Sequence, residues 1–234
     1  MTGTNTAEGA GFAADVFWNP ELMDRLNKEE IWKAEGPNRV LFRTPALGGS
    51  DWEPCDALIV EEAKQFYFNG TFAASKIQNY VDMISDSSIV RVTHQTLMKL
   101  ASSSSMNGIP LYEYVLSFQD ETSQTYLPRA FELGVGVPHS NDVFFLFYIY
   151  GAEYWSQANL DTSKRMCAMW GNFAKDLNPT PRIGESSEVL GDLIWDDIEH
   201  AKGKILNIGE ELKMEINQKL LDRMDFWTRT EDSC

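Results

Sequence analysis

Two short segments of this chain hold side chains suited to acid–base chemistry. In Gly134-Val-Gly-Val-Pro-His139-Ser-Asn-Asp142-Val-Phe-Phe-Leu-Phe147 a histidine sits in a loop between a glycine-rich approach and an aromatic run. Imidazole is the side chain best matched to moving protons near neutral pH. Gly134, Gly136 and Pro138 impose an unusual backbone path just before it, and Asp142 is placed to hold the loop. The second segment, Gly3-Thr-Asn5-Thr-Ala-Glu8-Gly9-Ala-Gly11, puts a carboxylate among three glycines. It reads as a turn leaving a strand, followed by a helix start. Taken alone, His139 is an ordinary loop histidine and Glu8 a solvated turn residue.

Acyl-transfer chemistry built on such a pair also needs a nucleophile, usually a serine on a Gly-x-Ser-x-Gly elbow between strand and helix. The chain contains none. Gly184-Glu185-Ser186-Ser187-Glu188 lacks the closing glycine, follows no strand and comes after the histidine, and Gly48-Gly49-Ser50-Asp51 fails similarly. Neither a phosphate-binding glycine loop nor zinc-type His–Glu spacing occurs, so no metal or organic cofactor is implied.

The elements that must position these groups follow from pattern. Pro110 to Phe118 alternates aromatic and aliphatic residues and is the clearest strand. Asn19-Pro20 opens a helix through Trp32, with proline at its favoured first position. Residues 36–55, rich in Gly, Pro and Ser, read as an irregular connection. Asp56 caps a helix to about Phe68, with Ile59, Ala63 and Phe66 on one face. Thr71 to Ser103 reads as two helices, broken at Ser85-Asp86, which cap the second; His94 is packed there. Ser163 to Leu177 carries the stripe Met166, Met169, Trp170, Phe173 and Leu177 and stops at Asn178-Pro-Thr-Pro181. Ile205 to Met214 reads as a hairpin, and a last helix carries Leu220, Met224 and Trp227.

Composition bounds the rest. The 234 residues are 43% hydrophobic and 24% charged, with seven Trp and thirteen Phe, the balance of a globular chain with material for a core. A net charge of −15 argues against nucleic acid or an anionic membrane as partner, since phosphate rewards clustered Lys and Arg. No apolar run approaches the length of a membrane span. Cys55, Cys167 and Cys234 allow one disulfide, of undetermined pairing, and leave one thiol free. Asn69-Gly70-Thr71 is a glycosylation sequon.

On these residues the chain resembles the type-B carboxylesterases, the cholinesterase-like α/β-hydrolases, and is nearest in character to insect detoxifying and juvenile-hormone-type esterases. Gly3, Asn5, Glu8 and Gly9 match the family's Gly-x-Asn-x-x-Glu-Gly, and Gly-Val-x-His with a following acid matches its catalytic-histidine segment. Met169 to Pro181 matches Met-Trp-x-Asn-Phe-Ala…Asn-Pro-Thr-Pro, and Arg223 to Trp227 matches the terminal Arg-Met-x-Phe-Trp. The Ser85-Asp86 pair also has a family counterpart, whereas Asn141 stands where many relatives carry an acid.

The resemblance implies an α/β fold: the C-terminal part of an α/β-hydrolase, mostly helical with a few remaining strands, in one domain spanning 1–234. By it Glu8 is the acid of a catalytic triad and His139 its general base, with Glu8 accepting a hydrogen bond from His139. Since the family order is Ser, acid, His, the nucleophile and oxyanion loop are expected upstream of Met1. The implied activity is hydrolysis of small hydrophobic carboxylic esters through an acyl-enzyme, with this chain inactive alone. A non-catalytic interaction protein of cholinesterase type and a binding domain for hydrophobic esters are the alternatives. Substrate, oligomeric state and compartment stay open at this level.

Overall fold

The computed structural model describes residues 1–41, 54–103, 108–119, 127–147, 155–181 and 186–233. Gly48–Asp51, Gly184–Glu185 and Cys234 fall outside these. Strand β1 (Thr2–Asn5) leads through a 3-10 turn (Glu8–Ala10) to the helices α1 (Ala14–Trp18), α2 (Glu21–Arg25), α3 (Glu29–Leu41) and α4 (Pro54–Phe68). After α5 (Ile77–Ser85), a π-helical segment (Asp86–Val90) runs into α6 (Arg91–Ser102). Then come β2 (Glu113–Leu116), α7 (Pro128–Glu132), α8 (Asn141–Leu146), α9 (Gln157–Asp176), α10 (Ser186–Leu190), the strands β3 (Ile205–Ile208) and β4 (Leu212–Glu215), and α11 (Gln218–Asp232). The fold is dominated by helix, with a small mixed sheet. The chain is organised as two compact units, each threaded by several segments.

The first unit comprises Met1–Thr6, Thr93–Pro128 and Gly136–Asn217. Its sheet has the order β1-β2-β3-β4 among the described residues. β1 pairs with β2 in parallel (Thr2 opposite Glu113, Asn5 opposite Leu116), β2 with β3 in parallel, and β3 with β4 as an antiparallel hairpin. The alternation that marks the strand works as expected: Tyr112, Tyr114, Leu116 and Phe118 all enter one core with Val137, Phe145, Met166, Met169, Trp195 and Leu206. The hydrogen-bonded ladder is shorter than the apolar pattern, covering four residues. Each such side chain, once fully buried, contributes about 1.5–3 kcal/mol. Gly3 is required here, because a Cβ on it would lie 2.3 Å from the Tyr114 ring.

In the same unit α9 begins before Ser163. Ser156 accepts a hydrogen bond from the Asn159 amide and caps it, as a serine three residues ahead of a free N–H does. Met166 and Met169 are fully buried, but Leu177 is not part of the stripe. It takes the left-handed conformation that closes the helix (φ 56°), its N–H bonding to Phe173 O, and it is exposed. His94 is tied to Glu113, Nδ1 to Oε1 3.0 Å, and is half-buried.

The second unit comprises Ala7–Val92, Arg129–Val135 and Gln218–Cys234. The single helix expected from Asn19 to Trp32 is two, α2 and α3. Asn27 breaks it by exchanging two hydrogen bonds with the Phe72 backbone, Nδ2 to O at 3.0 Å and N to Oδ1 at 2.8 Å. Residues 36–41, expected to be irregular, are helical. Gly36 and Pro37 are buried within α3, and a Cβ on Gly36 would meet Val60 Cγ1 at 2.7 Å, so glycine lets α3 and α4 pack closely. α4 starts at Pro54, two residues ahead of Asp56, which lies buried in its first turn. Its buried face is Val60, Ala63 and Tyr67; Ile59 is half-buried and Phe66 exposed.

The break at Ser85-Asp86 does not exist. Ser85 has helical dihedrals and makes no cap bond, and the chain stays helical through the π segment. Asp86 is fully buried. Its Oδ2 accepts the Tyr67 hydroxyl at 2.5 Å and lies 2.7 Å from Arg223 Nε of α11. Arg223 also pairs with Asp82 at 3.1 Å, and Trp227 Nε1 donates to the Tyr67 hydroxyl at 2.9 Å. Arg91 pairs with Glu231 and lies over the Trp227 ring. These contacts, with the buried Leu220, Met224 and Trp227, hold α11 in this unit.

Burial pushes the Asp86 carboxyl up to about 7, against the opposing pull of Arg223 and the Tyr67 hydroxyl. Its Oδ1, buried without a hydrogen bond, adds to that cost. The folded state therefore binds this proton more tightly than the unfolded chain does. The stability it contributes is full below about pH 4 and is lost as pH rises through about 7. Arg223→Met removes the compensating cation and is expected to cost about 3–5 kcal/mol at neutral pH. Asp86→Asn is expected to cost less and to flatten the pH dependence of stability between about 4 and 7. Denaturant unfolding of both variants across that range checks this; an unchanged pH slope in Asp86→Asn would contradict it.

Candidate functional site

The His139 loop is built on the carboxyl ends of β1 and β2. Parallel pairing brings Asn5 and Thr6 level with Leu116, and the Thr6 amide bonds Leu116 O at 3.1 Å. From this platform three side chains reach the loop. Thr6 Oγ1 accepts the Val137 amide at 2.9 Å. Asn5, buried, donates from Nδ2 to Pro138 O at 3.0 Å and to Asp142 Oδ1 at 3.3 Å. Tyr114 donates its hydroxyl to Asp142 Oδ2 at 3.0 Å. Asp142 thus holds the loop, as its position suggests, by tying the start of α8 to β1 and β2.

The backbone path needs its special residues. Gly136 has φ 112°, a region nearly closed to other residues, and Ser140 follows His139 in the left-handed region at φ 66°. Val137 and Pro138 are buried, whereas His139 is exposed. The result is an imidazole presented on a loop clamped on both sides, just beyond the carboxyl ends of parallel strands. In open α/β sheets that is where ligands bind.

Removing Asp142 takes an acceptor from two polar side chains at once. Asp142→Ala is expected to cost about 1–3 kcal/mol, because Tyr114 and Asn5 each lose the hydrogen bond they donate to its carboxylate. Tyr114→Phe, which deletes donor and demand together, is expected to cost less. Chemical denaturation of the two variants decides; equal costs would show that Asp142 does not carry the loop.

Glu8 lies in the second unit and opens the 3-10 turn after β1. It is not solvated: it is 4% exposed, and Gly9 and Ala10 beside it are buried too. The turn is clamped from α5. Ser85 Oγ accepts the Gly9 amide at 2.8 Å while donating to Val81 O at 2.7 Å. A Cβ on Gly9 would lie 2.5 Å from the Ser85 amide nitrogen, so only glycine allows this approach. A carboxylate held with so little solvent exposure is a costly feature unless it is paired.

Three supports of the His139 loop and of the Glu8 turn are invisible to local pattern. Thr6 reads as a turn residue, Tyr114 as a plain strand residue and Ser85 as a cap; each acts through a partner far away in sequence. Among the described residues, a group with metal-ligand atoms close together lies elsewhere in the first unit. Asp197, Glu199 and His200 offer ligand atoms within 4.8 Å of one another, but the His200 Nδ1 is already bonded to the Asp197 carboxylate at 3.0 Å on the surface. That carboxylate also draws the His200 imidazole toward its protonated form. No helix among the described residues is long and apolar enough to cross a membrane.

No curated protein matches the chain. The model of the carboxylesterase family matches residues 1–227, which include both the Glu8 turn and the His139 loop. With that match spanning nearly the whole sequence, the chain belongs to the carboxylesterase family.

Proposed function

We propose that this chain is the C-terminal part of a serine carboxylesterase domain and supplies two of its three catalytic groups. His139 is the general base that takes the proton of a serine nucleophile and returns it to the leaving alcohol. Glu8 is the acid that orients the imidazole and stabilises its protonated form. The serine and the oxyanion-hole amides belong to a segment N-terminal to Met1, in keeping with the order Ser, acid, His. The reaction is hydrolysis of a small hydrophobic carboxylic ester through an acyl-enzyme, in the manner of the insect detoxifying and juvenile-hormone-type enzymes. No metal or organic cofactor takes part.

The observation that carries this reading is the family match across residues 1–227 together with the clamped His139 loop beyond β2. Buried Glu8 in a glycine turn supports the role of the acid. The experiment is activity-based labelling with an organophosphonate ester. The chain combined with a nucleophile-bearing N-terminal segment should be labelled at one serine, and His139→Ala should abolish the labelling. Undiminished labelling in His139→Ala would overturn the assignment.

A further inference from the structure

The end of α4 presents a different chemistry. Asn69-Gly70-Thr71 is the acceptor pattern for N-linked glycosylation, and no other Asn-x-Ser/Thr occurs in the sequence, since Asn178 is followed by proline. The structure places it in a tight turn after Phe68, with Asn69 and Gly70 both left-handed (φ 52° and 76°). The Asn69 amide bonds Gln65 O at 2.9 Å and the Gly70 amide bonds Lys64 O at 3.3 Å, closing the helix. Phe72, buried, and Lys76, which donates to Phe68 O and Thr71 O, pin the chain on the far side. The Asn69 and Thr71 side chains stand on the surface. Asn69 Oδ1 accepts from Gln65 Nε2 at 3.1 Å in an exposed pair, and that bond does not use Nδ2.

The other end of the same helix carries an independent observation. Cys55 is disulfide-bonded, whereas Cys167 is a free, exposed thiol. A disulfide forms and persists in oxidising compartments such as the lumen of the secretory pathway. That is the compartment in which oligosaccharide is transferred to asparagine.

We propose that Asn69 carries an N-linked glycan, attached in the oxidising compartment where the Cys55 disulfide forms. In the transfer, Asn69 Nδ2 bonds to the anomeric carbon of an oligosaccharide carried on a polyprenyl diphosphate. The bond from that carbon to the phosphate oxygen breaks, the lipid diphosphate leaves with the electron pair, and the amide proton is lost to solvent. The folded turn accommodates the product, because the hydrogen bonds that fix its backbone do not involve Nδ2.

The test is made on the full protein recovered from the cells that produce it. Peptide N-glycosidase treatment in heavy-oxygen water, followed by peptide mapping, should convert Asn69 to Asp with one heavy oxygen and shift the intact protein by a single glycan mass. A parallel incubation in heavy-oxygen water without the enzyme, which should leave Asn69 unconverted, separates this from spontaneous deamidation at Asn69-Gly70. Asn69→Gln and Thr71→Ala should each remove the whole mass step, while Thr71→Ser should keep it. An Asn69 peptide bare in the recovered protein would overturn the proposal, whether Cys55 is oxidised or reduced. A mass step that persists in Asn69→Gln would do the same.

Discussion

Purified alone, this 234-residue chain is expected to turn over no carboxylic ester and to show no stoichiometric labelling with an organophosphate ester. Its sequence contains no Gly-x-Ser-x-Gly elbow, and neither serine-containing glycine segment qualifies as one. Loss of the nucleophile from such a triad lowers kcat about 10⁶-fold, which corresponds to roughly 8 kcal/mol of barrier. The residual rate usually left by an oxyanion hole should be missing as well, because its amides come from the loop preceding the nucleophile and from the elbow itself. A mass spectrum of the chain after incubation with the probe is the check. Stoichiometric modification of one serine would mean that the nucleophile lies within these residues and that the proposed division of the site is wrong.

The second expectation applies once a nucleophile-bearing segment is present. His139→Ala should lower kcat/KM for a simple aryl ester about 10⁶-fold, and Glu8→Gln about 10⁴-fold. The inequality follows from the roles. Without the imidazole no group takes the serine proton; without the carboxylate the imidazole remains but is held in the wrong tautomer and its cation is not stabilised. Combining the substitutions should cost little more than His139→Ala alone, since groups that act as a unit are not additive. Steady-state kinetics of the two single variants and the double variant decide it. A Glu8→Gln variant with near-native kcat/KM would remove Glu8 from the triad, and additive losses would mean that the two residues act separately.

What could be read from the sequence was what depends on local periodicity. The side-chain alternation of Tyr112, Tyr114, Leu116 and Phe118 marks one core face, and all four enter that core. The β3–β4 hairpin and the α11 stripe follow from the same kind of pattern. The role of Asp142 was legible because it lies three residues from His139.

What could not be read depends on partners distant along the chain. Ser85-Asp86 looks like a cap because serine and aspartate usually satisfy free amides at helix starts. Here Ser85 clamps Gly9, 76 positions away, and Asp86 joins Tyr67 and Arg223. The split between α2 and α3 arises likewise from Asn27 bonding the Phe72 backbone. Glu8 looks solvated among glycines, yet those glycines serve close approach. Gly9 makes room for the Ser85 backbone and Gly3 for the Tyr114 ring. Composition pointed to an irregular connection over 36–55, and at 36–41 packing of Gly36 against Val60 overrode it.

The pairing of Glu8 with His139 is the central claim, and it can be tested on this chain without any catalysis. Nitrogen-15 and proton NMR of the histidine side chains, assigned through His139→Gln, reports which ring nitrogen carries the proton and whether that proton is hydrogen-bonded. The account predicts that neutral His139 is protonated at Nδ1, with a slowly exchanging, strongly deshielded proton that disappears in Glu8→Gln. A His139 ring in fast exchange with water, with the same spectrum in the native chain and in Glu8→Gln, would contradict it.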